Sequence, residues 1–315
     1  MDRAQEFPQT LEGPRHPPGP SPWLRSKQRE WIAGYLFSFP ALMGIGLFSL
    51  GPMLYALYMS FHDVNIISPV MPFVGLQNYE NLVQDQVFWT SVRNSAYFTV
   101  VVVPIQSTLA LALAFLINQR IRGRILFRAS YFMPVVISTV VAASVWQLMY
   151  DPTHGLLNSL LHAVGIPGQP WLGSSVQAMP AVMLMCIWKT TGFFMIIFLA
   201  GLQEIPNEFY EAARIDGAGG GQLFRLITLP LLQRTSLFVL VITTMDALRV
   251  FTQIYVMTGG GPANATSTIV FYIWRTAFRQ MKMGDATAMA FVLFVLIFLL
   301  TLCQLAIMRS GREKE

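Results

Sequence analysis

The stretch Glu211-Ala212-Ala213-Arg214-Ile215-Asp216-Gly217-Ala218, continuing through Phe224 to Leu229-Pro230, decides how the chain is read. Its residues specify a capped helix, a tight turn and a second helix. Pro206 suits a first helical turn, where a missing N–H costs nothing. Glu208 and Glu211 follow in the half where carboxylates meet the positive end of the helix dipole. Phe209, Ala212 and Ala213 recur at helical spacing and give an apolar, close-packing side. Gly217 is placed to end the helix in a left-handed cap, with Asp216 beside it to satisfy local N–H groups. A second helix is expected from Gln222 to Leu229, with Leu223, Leu226 and Ile227 on one face. Gly219-Gly220-Gly221 delays its start, since each glycine costs roughly 1 kcal/mol in a helix relative to alanine. From the residues alone the segment is either a well-capped connector or a compact plug through which another protein acts.

The surroundings of this polar segment are apolar. Hydrophobic residues make up 54% of the chain and charged residues 12%, with a mean hydropathy of +0.51, which excludes an ordinary soluble domain. Six spans of about 20 residues are expected: Trp31–Phe61, Ala96–Ile117, Tyr131–Tyr150, Ala178–Leu202, Thr235–Met257 and Ala286–Met308. The first contains Pro40 and Pro52, which predict a kink or tilt. Residues 1–30, broken by Pro8, Pro14, Pro17, Pro18, Pro20 and Pro22, read as a disordered tail without a cleavable signal. Residues 31–308 form the membrane domain, with the plug loop at 203–234, and residues 309–315 form a short C-terminal tail.

Basic residues set the orientation. Arg25, Lys27 and Arg29 precede the first span. Arg120, Arg122, Arg124 and Arg128 separate the second and third, and Arg214, Arg225 and Arg234 the fourth and fifth. Arg309, Arg312 and Lys314 follow the sixth, whereas the loop from Asp151 to Gln177 has neither Lys nor Arg. The positive-inside rule therefore places both termini and the Glu211 loop in the cytoplasm, with Arg275, Arg279 and Lys282 as the exception. The net charge of +5 is explained by this topology and not by nucleic-acid binding. Cys186 and Cys303 fall inside spans and read as packing residues.

The ordered pattern E-A-A-R-I-D-G-A, with Phe224 and Leu229-Pro230 behind it, resembles the EAA loop of the membrane subunits of ABC importers. The resemblance is to the sugar-type branch that includes maltose and glycerol-3-phosphate permeases. It extends to Val74-Gly75-Leu76-Gln77-Asn78-Tyr79, to Asp151-Pro152 with Gly155-Leu156-Leu157-Asn158, and to Trp188-Lys189-Thr190-Thr191-Gly192-Phe193. Thr258-Gly259-Gly260-Gly261-Pro262 with Ala277-Phe278 is similar to the last outer loop of the maltose F-type subunit. The resemblance implies an all-α, six-span membrane protein with the type I ABC importer permease fold, in which the plug docks in a cleft on an ATPase. It makes Glu208, Glu211, Ala212, Ala213, Asp216 and Gly217 the coupling element, supported by Phe224 and Pro230. It further implies a second, G-type permease, two ATPase subunits that use ATP and Mg, and an extracytoplasmic solute-binding protein. The location implied is the cytoplasmic membrane of a bacterium or archaeon.

The remaining candidates are weighed residue by residue. Gly219-Gly220-Gly221 lacks the Gly-Lys-Ser/Thr ending of a phosphate loop and follows no strand, so no nucleotide or other cofactor is expected on this chain. No catalytic set of side chains and no metal spacing is present, and His16, His62, His154 and His162 stand apart. Ionisable groups within spans are functional candidates because burying one in lipid is costly. Lys189, Asp246 and Arg249, with Gln147, Thr190 and Thr243, either line a polar path for a hydroxylated solute or serve packing. In the second case Asp246 pairs with Arg249 and Lys189 snorkels or pairs across a subunit contact. Trp188, with Trp146, either stacks on a sugar ring or packs. The reading that follows is a permease subunit of an ATP-driven importer for a sugar or polyol phosphate, without its own catalysis. The rivals are an ion-coupled secondary transporter using Asp246 and a membrane-embedded enzyme.

Overall fold

The computed structural model describes residues 22–65, 67, 70–119 and 123–312. The expected tail up to residue 21, His16, Arg120, Arg122 and Lys314 lie outside the described residues. Among the described residues the chain is helical, with only two isolated bridges, His62–Phe73 and Asn65–Lys282. It divides into two units, one ending at Tyr55 and the other running from Ala56. The first unit holds α1, Pro22–Ile45, a π turn at Gly46–Leu50 and the start of α2, Gly51–Met59. The helix thus begins at Pro22, inside the stretch expected as tail.

The second unit continues with α3 (Gln77–Gln84), α4 (Gln86–Asn118), α5 (Arg124–Val136), α6 (Thr139–Met149), α7 (Leu156–Ala163), α8 (Ala178–Gln203), α9 (Asn207–Ile215) and α10 (Gly220–Leu223). After a π turn at Phe224–Thr228 come α11 (Leu229–Leu231), α12 (Gln233–Leu248), α13 (Thr252–Met257), α14 (Ile269–Trp274) and α15 (Met283–Arg312). Among the described residues five helical runs are long and apolar enough to cross a membrane, and α5 with α6 makes a sixth if that pair counts as one span.

The two π turns that precede prolines have a common cause. Gly51, just before Pro52, donates its N–H to the Gly46 carbonyl, and Leu229, just before Pro230, donates to Phe224. A proline cannot donate, and its ring collides with the carbonyl one turn back. Widening that turn by one residue relieves the clash without ending the helix.

The third span departs from the single helix expected over Tyr131–Tyr150. It is broken by 97° between α5 and α6, with Ile137 and Ser138 extended at ψ 137° and 136°. Pro134 removes a donor from the last turn of α5. The β-branched run Val135-Val136-Ile137, followed by Thr139-Val140-Val141, has little helix propensity to bridge the gap. The partner α8 accommodates the result. A Cβ at Gly192 would lie 1.9 Å from the Tyr131 carbonyl oxygen, so only glycine lets the α5 backbone approach this closely.

α8 is the central helix. Its contact with α4 is the most extensive in the chain, and the fully buried Ala110 and Ala114 of α4 let the two helices close on each other, as small residues do in membranes. Near the α9 end, Phe194, Met195, Phe198, Leu199 and Leu202 of α8 pack with Ala110, Ala114, Leu232 and Val239. Toward the other end, Val182, Met185 and Cys186 pack with Phe98, Ala143, Ile254 and Phe271.

Three buried asparagines hold the irregular segments at that other end. Asn78 donates to the Ser60 and His62 carbonyls at 2.8 and 3.0 Å. Asn94 donates to those of Asn264 and Ser267 at 2.9 and 3.0 Å. Asn158 uses its whole side chain: its amide N–H groups donate to Pro152 and Gln169, and its oxygen accepts from the Gln169 N–H and the Trp171 indole N–H. Asn158→Ala is expected to weaken the 150–177 loop by about 2 kcal/mol by orphaning these partners. That corresponds to roughly 30-fold faster cleavage within the loop under limited proteolysis.

Candidate functional site

The plug is built as its residues dictate. α9 starts after Pro206, whose extended ψ of 136° makes it the flanking residue and not the first helical one. Gly217 takes φ +83°; its N–H bonds the Arg214 carbonyl at 3.1 Å, and the Ala218 N–H bonds that of Ala213 at 2.8 Å. This double closure is the Schellman arrangement, which satisfies the last carbonyls of a helix. The second helix starts at Gly220, earlier than the three glycines suggest. Gly219 is its N-cap, and the Gln222 side chain accepts from the Gly219 N–H at 2.8 Å, which offsets part of the glycine cost. Tyr210 and Thr228 meet through their hydroxyls at 3.1 Å and tie the two helices together. Phe224 packs edge-on against Phe115 of α4 with ring centroids 5.6 Å apart.

One side of the plug is therefore anchored, through Ile205, Tyr210 and Leu232, to the core at the end of α8. The other side is bare. Phe209 is 52%, Leu226 69% and Ile215 86% exposed, and Glu208, Glu211, Ala212, Asp216 and Pro230 are exposed around them, with Ala213 half-buried. Phe209 and Ala212 thus face outward, while Tyr210 makes the inward contact that sequence spacing assigned to the Phe209 side.

The expected polar path separates into several environments. Trp188 of α8, 40% exposed, sits beside Trp146 of α6 with ring centroids 5.4 Å apart, and Gln147 is exposed next to it. Thr190 accepts from Gln106 of α4 at 2.8 Å and donates to its own Cys186 carbonyl at 2.8 Å. Thr243 is buried and bonds back to the Val239 carbonyl at 2.7 Å. Asp246 and Arg249 are both exposed and no ion pair between them is formed. Arg249 instead borders an apolar groove of about 730 Å³ with Val270, Ile273, Leu293 and Phe294. Lys189 is buried and donates to the Ile137 carbonyl at 2.8 Å and to those of Val135 and Pro134 at 3.4 and 3.5 Å.

Aromatic rings line the end of the molecule opposite the plug. Trp146, Tyr150 and Trp171 follow one another at 5.6 and 5.3 Å. Phe251, Tyr255 and Trp274 form a second cluster, with Tyr255 and Trp274 at 4.9 Å. The basic residues that break the charge rule act locally here. Arg275 donates to Asn264 at 2.7 Å and lies over the Tyr272 ring, and Arg279 lies over Trp274. Beside them, Asn78, Asn81, Asp85, Thr276, Lys282 and Asp285 enclose a polar cavity of about 350 Å³. Tyr272 donates to Asp85 there; burial, then that carboxylate, push its hydroxyl up to about 12. In the 150–177 loop the Asp151 carboxyl is held below its usual range by the His154 N–H and by Thr153. Among the described residues no group of three or more His, Cys, Asp or Glu could hold a metal ion. Gln106, Asn158 and the Tyr255–Trp274 pair were not legible as site residues, because their roles depend on partners far away in sequence.

Residues 86–310 match the family described as binding-protein-dependent transport system inner membrane component. The chain is 39% identical to the trehalose/maltose transport system permease protein MalF of Thermococcus litoralis, over 91% of this chain and 97% of that protein. It is 35% identical to the lactose transport system permease protein LacF of Rhizobium radiobacter, over 90% and 95%. With the sn-glycerol-3-phosphate transport system permease protein UgpA of Agrobacterium fabrum it shares 34% identity, over 87% and 93%. Its fold is similar to a chain in the crystal structure of a bacterial ABC transporter involved in the import of the acidic polysaccharide alginate. The TM-score is 0.80 at 24% identity, covering 92% of this chain and 99% of that one.

The left-handed cap gives the plug a direct test. Valine at position 217 meets the steric penalty of roughly 1–2 kcal/mol that L-residues incur at positive φ. Gly217→Val is expected to speed amide exchange at residues 217 and 218 about tenfold or more, while the amides of α8 keep their protection.

Proposed function

Because the chain belongs to the binding-protein-dependent inner-membrane transport components, we propose that it is half of the pathway of an ATP-driven importer for a sugar or a related polyol phosphate. The observation that carries this reading is the plug: a helix rigidly capped at Gly217, anchored on one side to α8 and α12, and presenting Phe209, Ile215 and Leu226 to a partner. An exposed apolar patch rimmed by Glu208, Glu211 and Asp216 is what a protein docking site looks like. The partner is an ATPase, two copies of which serve this chain and a second permease, and these subunits supply the ATP and Mg chemistry. The arginine distribution supports a cytoplasmic plug and cytoplasmic termini, with the asparagine-stapled end facing an extracytoplasmic solute-binding protein. The names of the relatives, which cover maltose, trehalose, lactose and glycerol phosphate, support the substrate class.

The geometry also supports a route for force. The plug core continues into the last turns of α8 through Leu202 and into α12 through Leu232. α8 then continues to the packing around Val182 and Met185. Displacing the plug therefore moves a rigid rod whose far half carries Trp188. Asp246 is exposed, and the family match is to binding-protein-dependent components and not to ion-coupled transporters.

The test is reconstitution of the whole complex in liposomes with radiolabelled maltose, trehalose or glycerol phosphate. ATP-dependent uptake that requires the binding protein is expected, and uptake that follows an ion gradient without ATP would overturn the reading. Within that assay, Ile215→Asp and Glu211→Lys should leave membrane insertion intact and lower uptake at least tenfold, with ATP hydrolysis no longer tied to transport. Undisturbed transport in both would reduce the plug to a connector.

A further inference from the structure

Lys189 occupies a place that neither a pathway lining nor a subunit ion pair describes. It is 5% exposed, and its ammonium faces the end of α5, where the helix stops inside an apolar span. A helix end leaves its last carbonyls without intrahelical partners, and in hydrocarbon no water replaces them. The Lys189 ammonium carries three donors and no acceptor. The structure sets it on three carbonyl oxygens, those of Ile137, Val135 and Pro134, at 2.8, 3.4 and 3.5 Å. A cation here also meets the negative end of the α5 dipole. One turn further along α8, Gly192 removes the side chain that would keep the α5 backbone at a distance.

The consequence reaches beyond α5. Because the span turns by 97° at this point, α6 leaves to pack against α13. That path brings Trp146 beside Trp188 and lets the Tyr150 hydroxyl donate to the Ala181 carbonyl of α8 at 3.0 Å. The same helix thus holds the break from one side with Lys189 and receives the departing helix with Trp188 and Ala181.

We propose that Lys189 is a positioning residue of the transport cycle: its ammonium clamps the carbonyls at the end of α5, keeps the third span broken, and so sets the α6 aromatic wall against α8. The transport part of this inference rests on the importer reading; the clamp itself does not. The clamp also ties the bend to the helix that the plug moves, so that α5, α6 and α8 travel together.

Spin labels at positions 126 and 148 read the bend, since Leu126 and Leu148 are both exposed and flank it. They are 22 residues apart, which spans about 33 Å along one straight helix and about 22 Å around a right angle. The full complex is placed in lipid nanodiscs with Cys303 replaced by serine, and the distance is measured by pulsed electron resonance beside uptake in liposomes. Wild type should give one short distance. Lys189→Met should add a population toward the long distance and lower uptake at least tenfold while the subunits still co-purify. Lys189→Arg should restore both, because a guanidinium also donates to several carbonyls. If Lys189→Met fails to assemble, Lys189→Gln, which keeps two donors, should show a smaller change in the same direction. A short distance retained in the Met or Gln variant, or wild-type uptake despite a changed distance, would overturn the proposal. Absence of ATP-driven uptake in wild type, with the distance change still seen, would count against the importer reading and for the clamp.

Discussion

Within a lipid bilayer every backbone N–H and C=O needs a partner from the protein itself, and the architecture of this chain follows from how that demand is met where helices cannot run straight. Prolines 52 and 230 are absorbed by π turns that keep the helix unbroken. Pro134 is not absorbed, because the β-branched residues after it favour extended backbone, and the chain turns. What makes that turn tolerable is a neighbour that brings donors and omits a side chain, Lys189 and Gly192 of α8. The position of α8 against α5 is fixed by this need, and the packing of α4, α6 and α12 around α8 is built on it.

The plug packs at one end of α8 and the broken span against its middle. α8 begins among the aromatic residues near Trp171 and finishes in the cluster that anchors Tyr210 and Leu232. Its burial leaves little slack: Val182, Met185, Met195 and Phe198 are all almost completely enclosed. Protein interiors packed to this degree transmit displacement and do not absorb it. On the proposed importer reading, a pull on α9 would travel along α8, provided the Schellman closure keeps α9 from fraying at Gly217.

How much of this was legible in the sequence depended on how local the cause was. Gly217 as the stop of α9 and five of the spans declare themselves in a few consecutive residues, and the order of residues in the plug identified the family. The break in the third span was masked, since Tyr131–Tyr150 is apolar on average despite Ser138, Thr139, Ser144 and Gln147, and hydropathy does not distinguish one straight helix from two bent ones. Lys189 was visible as an anomaly, but its partners are backbone carbonyls some 52–55 residues earlier, which carry no side-chain signature. The triple glycine misled in the opposite sense, because Gln222 supplies a cap that a propensity count ignores. Asp246 and Arg249 share a face of the helix by spacing, yet both are exposed and no ion pair forms between them.

The polar contacts also differ in strength between the two levels of the molecule. Inside the spans they are single bonds between neutral groups, Gln106 to Thr190 and Gln304 to Thr244, of a kind worth about 0.6 kcal/mol on average in membrane proteins. At the stapled end Asn158 alone makes four hydrogen bonds to three residues, and Asn78 and Asn94 engage two backbone carbonyls each. The spans are thus held to one another by apolar packing more than by polar bonds, while the multiply bonded loops move as units. Lys189 is the exception within the spans, a charged donor among neutral contacts, and it sits at the bend between α5 and α6.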